Sequence, residues 1–292
     1  MWGRGYGSIV EKFRTWAESN PEVSVAMIVG SQARRDSPAD EWSDLDVAIF
    51  HADPPRLIAS TDWFQQFGTV VTSMVEATAV GGSRERRVLF SDGRDVDFAV
   101  FPSTAIPFLV NSPEGLDVLV RGYVVLVDKH HELDDLASTI ATRVPPHRGP
   151  NSKEEFLAEV SDFFYHVLWV AKKLRRGETW TAKMGCDGYL KQRLCRMIEW
   201  DAQVIATQDL DVWHDGRFLD RWAPPAVLAR LPDTFAQYEA KDIARALHET
   251  GELYSQLARQ IAEKREWSYP SNMETSVWEL VRGTLAELPG RR

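Results

Sequence analysis

Cysteine is nearly absent: Cys186 and Cys195 are the whole supply in 292 residues. Two thiols nine positions apart make neither a disulfide framework nor the paired spacing of a zinc site, so reduced thiols are expected. Long apolar runs are missing as well. No window approaches the ~20 apolar residues a bilayer span needs, and residues 1–9, rich in Gly and Arg, lack the apolar stretch of a signal peptide. The expectation is a soluble, cytoplasmic protein, a monomer or weak dimer with no membrane partner. Basic blocks are absent too, and the net charge of −9 gives a surface that repels phosphate backbones, which argues against a nucleic-acid partner. The acidity suits a cationic small molecule, although solubility alone also accounts for it. There is no internal repeat and no low-complexity tract, which removes solenoid and linker functions.

With 44% hydrophobic residues the chain has enough apolar material for a sizeable core, and its length suggests two domains. In the first half, Ile9, Val10, Phe13, Trp16 and Ala17 recur at helical spacing, predicting a helix over 6–19 that Asn20-Pro21 stops. Residues 23–29 are apolar and β-prone and run into Gly30-Ser31, which reads as a buried strand ending in a tight turn. Further strands are expected over 45–50, 69–75, 87–90, 95–101 and 123–127, with Ser91-Asp92-Gly93-Arg94 as a hairpin turn. Five or six short strands mixed with a few helices describe an α+β sheet domain, here assigned to residues 1–145.

Pro145, Pro146, Gly149 and Pro150 then crowd together and mark a boundary. Beyond it, over 151–292, the pattern is all-helical. Ser152 with Glu155 suggests a capping box opening a helix whose stripe is Phe156, Val160, Phe163, Phe164, Val167, Leu168 and Ala171. Gly177 is expected to end it. Helical periodicity returns over 189–206, 242–266 and 278–288.

Chemistry concentrates on a few acids. Asp44 and Asp46 flank Leu45 at a strand entry, and the period of two turns both carboxylates to one face while Leu45 and Val47 take the other. Adjacent carboxylates repel unless solvated or bridged by a cation, and such hard oxygen ligands suit Mg²⁺ carrying substrate phosphates. Asp97 faces away from Val96, Phe98 and Val100, and a lone carboxylate in so apolar a strand needs a partner. If its strand lies beside the first, three carboxylates converge, enough for a two-metal arrangement. Upstream, Gly30-Ser31 lets backbone N–H groups approach phosphate oxygens, with the Ser31 hydroxyl as a further donor. Neither Gly-Ser nor Asp-x-Asp is informative alone; their order along the chain is what carries weight.

Ile28-Val29-Gly30-Ser31 through Ser43-Asp44-Leu45-Asp46, followed by Asp97, resembles the signature of the DNA-polymerase-β-like nucleotidyltransferases. Within them the chain is most similar to the aminoglycoside 6-adenylyltransferases, the streptomycin-resistance enzymes, over nearly its whole length. Asp162-Phe163-Phe164 leading to Val170-Ala171-Lys172, Arg193-Leu194-Cys195-Arg196-Met197-Ile198-Glu199-Trp200, and Arg217-Phe218-Leu219-Asp220-Arg221-Trp222 resemble stretches of that family's helical domain. The resemblance implies a nucleotidyltransferase domain followed by a helical one, with Mg-ATP and the antibiotic held between them and AMP passed to the streptomycin 6-hydroxyl. The family usually has Arg after Gly-Ser, where this chain has Gln32 and then Arg34 and Arg35.

On this reading Asp44 and Asp46 hold the Mg²⁺ that bridges the triphosphate, and Asp97 either ligates a second ion or takes the acceptor's proton. Ser31 either holds a phosphate oxygen or merely closes its turn. Lys172 either reaches the triphosphate or complements its helix dipole, as Lys173, Arg175 and Arg176 do. For a guanidinium-bearing acceptor, Glu76, Glu178, Glu199 and Asp187 are candidate carboxylates and Trp169, Trp180 and Trp200 candidate aromatic faces or core residues. His130-His131 lacks further ligand-spaced partners and reads as loop. Two other functions stay open: the same chemistry on another small-molecule or protein hydroxyl, and a silent nucleotide-binding module.

Overall fold

A computed structural model of the chain describes residues 5–34, 39–141, 149–206, 210, 212 and 216–286. Arg35, Pro145, Pro146 and the far end expected for the last helix at Leu288 lie outside them. The chain divides into two compact units, Met1–Pro146 and His147–Arg292.

The first unit is built on a mixed six-stranded sheet in the order β3-β4-β5-β2-β1-β6. Helix α1 (Tyr6–Ser19) leads into β1 (Val23–Val29), a single 3₁₀ turn (Gly30–Gln32) and β2 (Leu45–His51). Then come α2 (Pro54–Ala59), β3 (Val70–Ala77), β4 (Arg84–Phe90), β5 (Asp95–Pro102), α3 (Ile106–Asn111), α4 (Pro113–Arg121), β6 (Val124–Asp128) and α5 (Leu136–Ala141). Neighbouring strands are antiparallel except β2 and β5, which run parallel.

Both faces of the sheet are covered, which is why β1 and β2 read as nearly continuous apolar runs. One face packs Val47, Ile49, Val96, Phe98 and Val100 against Ile9, Val10 and Phe13 of α1 and Leu57 and Ile58 of α2. The other packs Met27, Ala48 and Phe50 against Ile106, Leu119 and Leu136. Burying side chains of this size contributes about 1.5–3 kcal/mol each. The expected turn at 91–94 is present: Phe90 N–H donates to Arg94 O at 2.8 Å, and Gly93 takes φ +84°.

Strand β4 starts three residues earlier than its apolar pattern suggested, because Arg84, Glu85 and Arg86 belong to the ladder. Arg86 is buried, 7% exposed, donating to Ile58 O and to Ser73 Oγ with Phe64 beneath its guanidinium. A long side chain that buries its stem and sets its two terminal nitrogens on carbonyl and hydroxyl oxygens conceals a strand from a hydrophobicity reading.

The second unit is helical: α6 (Lys153–Arg175), α7 (Thr179–Met184), a π-helical turn (Gly185–Tyr189), α8 (Leu190–Ile205), α9 (Leu219–Trp222), α10 (Pro225–Thr234), α11 (Ala240–Lys264) and α12 (Ser271–Leu285). Ser152 caps α6, its Oγ accepting from Glu155 N at 3.1 Å, while Glu155 Oε2 accepts from Asn151 N at 2.8 Å. The reciprocal bond thus falls one residue before the cap position of the usual box. Helices α6, α8 and α11 supply the core, where Phe163 and Tyr254 stack with ring centroids 3.6 Å apart. Helix α12 begins seven residues before the expected 278, since Ser271 and Asn272 make a polar first turn without an apolar stripe. No helix among the described residues is long and apolar enough to cross a membrane.

Candidate active site

Strand β1 delivers Val29 opposite Asp46, and the parallel pairing of β2 with β5 sets Asp46 beside Asp97. Asp44 lies two positions before Asp46, on the same side by strand alternation. One carboxylate oxygen from each of Asp44, Asp46 and Asp97 lies within 4.8 Å of the others. The convergence is a property of register, since a one-residue slip of β5 would turn Asp97 to the opposite face.

Gly30 makes the close approach feasible. Its φ of +66° is left-handed, and a Cβ there would sit 2.0 Å from Asp46 Oδ2. Any side chain would therefore expel the carboxylate. Ser31, 3% exposed, donates from Oγ to Asp44 O at 3.4 Å, and Gln32 Nε2 donates to Ser43 O at 3.4 Å. These long bonds tie the turn to the acid-bearing segment.

Asp97 is 8% exposed, and burial pushes its carboxyl up to about 7, with Arg87 opposing the rise and Glu85, Asp44 and Asp95 adding to it. Strand β4 places Arg87 opposite Asp97. The Arg87 Nε lies 3.2 Å from Asp97 Oδ2, 3.0 Å from Glu85 Oε1 and 2.7 Å from Glu76 Oε1, so one guanidinium serves three carboxylates. Burial also raises the Glu85 carboxyl, partly offset by Arg87. Sequence reasoning missed Arg87 and Glu85. Their only signal is alternation within Arg84-Glu85-Arg86-Arg87, and that needs the antiparallel partner strand before it means anything.

The donor set fits a hard divalent cation. Oxygens sharing one Mg²⁺ at its ~2.1 Å bond length are at most about 4.2 Å apart, so small side-chain movements close the 4.8 Å cluster.

Other expected residues lie elsewhere. Lys172 is exposed in the last turns of α6, in the second unit. Glu178 is ion-paired with Lys173 and Arg176, and Asp187 with Lys183 and Lys191 while accepting from Ala236 N. Glu199 accepts from Gly216 N at 3.4 Å. Trp200 is buried in the helical core, whereas Trp180 is 67% exposed. His131 stands exposed beside Asp134 in a loop.

Comparison with known proteins places these features in a family context. The sequence profile described as streptomycin adenylyltransferase matches residues 4–283. The aminoglycoside 6-adenylyltransferase of Campylobacter jejuni is 20% identical over 260 residues, covering 87% of each chain. That of Bacillus subtilis (strain 168) is 21% identical over 280 residues, 91% of this chain and 93% of the other. The crystal structure of an aminoglycoside 6-adenyltransferase from Bacillus subtilis superposes with a TM-score of 0.47 at 16% identity, covering 96% and 97% of the two chains.

Proposed function

Because the chain belongs to the streptomycin adenylyltransferase family, matched over residues 4–283, we propose that it transfers AMP from Mg-ATP to an aminoglycoside hydroxyl, foremost the streptomycin 6-hydroxyl. The observation that carries this is the convergence of Asp44, Asp46 and Asp97 beside the Gly30-Ser31 turn. In the reaction the acceptor oxygen bonds to the α-phosphorus, the bond from that phosphorus to the bridging oxygen breaks, and pyrophosphate leaves with the electron pair.

A Mg²⁺ ion at the three acids would supply charge neutralisation for phosphate oxygens. Asp44, immediately before β2, and Asp46 within it would be its ligands. Asp97 stands on the adjoining strand, where a carboxyl whose proton leaves near neutral pH suits a base for the acceptor hydroxyl or a further ligand. The Gly30-Ser31 turn presents backbone N–H groups, and Ser31 a hydroxyl, to phosphate oxygens.

The test incubates the full chain with Mg²⁺ and ATP labelled in its α-phosphate, offers streptomycin beside other aminoglycosides, and resolves products by mass. Label on streptomycin with release of unlabelled pyrophosphate is the expected result. Label on a different acceptor keeps the chemistry and moves the substrate. No transfer to any aminoglycoside would overturn the proposal.

A further inference from the structure

The sheet face that carries the three acids continues onto β4 and β3, where it holds a pairing that a sheet does not make for stability. Glu76 of β3 stands opposite Glu85 of β4. Like charges opposite each other on neighbouring strands are destabilising, and Glu85 is itself buried, 9% exposed. Arg87 resolves the conflict. Two positions beyond Glu85, it shares that face by strand alternation, and the ladder between β4 and β5 puts it opposite Asp97. The two glutamates have one common partner, and that partner's remaining neighbour is Asp97.

The contacts give the arrangement a direction. Arg87 Nε donates to Glu85 Oε1 at 3.0 Å and lies 2.7 Å from Glu76 Oε1 and 3.2 Å from Asp97 Oδ2. A single N–H cannot point at three oxygens, so the guanidinium is anchored on the glutamates and holds Asp97 by charge. An arginine side chain 48% exposed has many rotamers open to it. Two carboxylates behind it narrow the choice to one that reaches Asp97.

Asp97 needs such a brace. It is 8% exposed and paired in register with Asp46, with Asp44 close by. Like charges push its carboxylate away from the other two acids unless a cation holds it. A carboxylate has two oxygens, and it can give one to a guanidinium and the other to a metal ion. Partners one contact removed from a metal orient its ligands, and their loss typically costs about 10–100-fold in metal affinity.

We infer that Arg87, anchored by Glu76 and Glu85, is a positioning residue that holds the Asp97 carboxylate toward Asp44 and Asp46 and so sets how tightly the three acids bind a divalent cation. It acts through Asp97 alone. The inference rests on the assignment of a cation to those acids and adds what aims the third of them.

The full chain is titrated with Mn²⁺, a hard cation that shares the oxygen preference of Mg²⁺, and the free ion is counted by electron paramagnetic resonance. Wild type, Arg87→Met, Asp97→Asn and the double variant are compared. Arg87 is half exposed, so a methionine there opens no buried void. The expected result is Mn²⁺ binding about tenfold weaker in Arg87→Met, and changed less than about twofold when Arg87→Met is added to Asp97→Asn, where nothing is left to position. Glu76→Gln lies on the edge strand β3 with its side chain 38% exposed, so it folds whatever becomes of Arg87→Met. It should weaken binding about two- to fivefold.

Binding unchanged or tightened in Arg87→Met, a full tenfold loss persisting in the Asp97→Asn background, or wild-type affinity in Glu76→Gln would each overturn the inference while leaving the proposed function intact. Wild type that binds no Mn²⁺ would remove the cation assignment and the inference together. Arg87-dependent binding in a chain that transfers AMP to no aminoglycoside would leave the inference standing while the proposed function fell.

Discussion

A carboxyl titrating near neutrality beside two others makes Asp97 the residue whose ionisation should govern the behaviour of the first unit. Its folded value of about 7 exceeds the ordinary 3.8, so the folded chain holds this proton more tightly than the unfolded one. The stability it contributes is full below about pH 4 and is lost as pH rises through about 7. Cation binding needs the ionised form and so should strengthen over the upper part of that window. Scanning fluorimetry should therefore show a larger rise in melting temperature on adding Mg²⁺ at about pH 8 than at about pH 6; an equal rise would separate Asp97 from the metal. Asp44→Asn and Asp97→Asn should each lower transfer by about 10³-fold or more, since loss of a ligand removes several kcal/mol of charge stabilisation, while circular dichroism remains that of wild type. Gly30→Ala places a methyl on Asp46 and forces a left-handed φ on a residue that resists it. The expected stability loss is at least about 1 kcal/mol by denaturant titration, with the Mg²⁺ response abolished.

Among the elements, α11 contains Gly251, and a Cβ there would lie 2.2 Å from Trp278 Cζ2 of α12. Helix propensity alone favours Gly251→Ala by about 1 kcal/mol, whereas overpacking against a rigid indole costs about 1–3 kcal/mol. The indole is itself edge-on to Phe164 and His248 and has little room to yield. Overpacking should win, giving a lower melting temperature; a higher one would mean that α12 moves freely. At the other end of the unit, Ser152→Ala should cost about 1 kcal/mol by removing the acceptor for Glu155 N–H. Elements with strong periodicity, such as 6–19 and the stripe from Phe156 to Ala171, were legible from sequence. Short helices such as α4, nine residues opened by a Ser112 cap and Pro113, were not, because two and a half turns are too few for a period to stand out from a strand pattern.

For the whole molecule, the net charge of −9 bears on encounter with the acceptor. If the acceptor is a cationic aminoglycoside, its KM should rise several-fold, about 3- to 10-fold, between low and high salt as screening shortens the field's reach. A salt-independent KM would point to an uncharged acceptor. Each unit encloses its own buried cluster, the first on both faces of the sheet and the second around Phe163 and Tyr254.

The sequence by itself determined the local geometry of the chemistry: alternation put Asp44 and Asp46 on one face, and the apolar neighbours of Asp97 turned it the other way. It also determined which segments are strands and which are long helices, because period and burial are local properties. Only the tertiary structure decided that β5 lies parallel beside β2, so that Asp97 meets Asp46, and that β4 brings Arg87 into the carboxylates. The same holds for Gly185, which a π-helical turn lays against Trp169. Strand pairing and helix contact join residues far apart in the chain, and no periodicity within a segment encodes the partner it will meet.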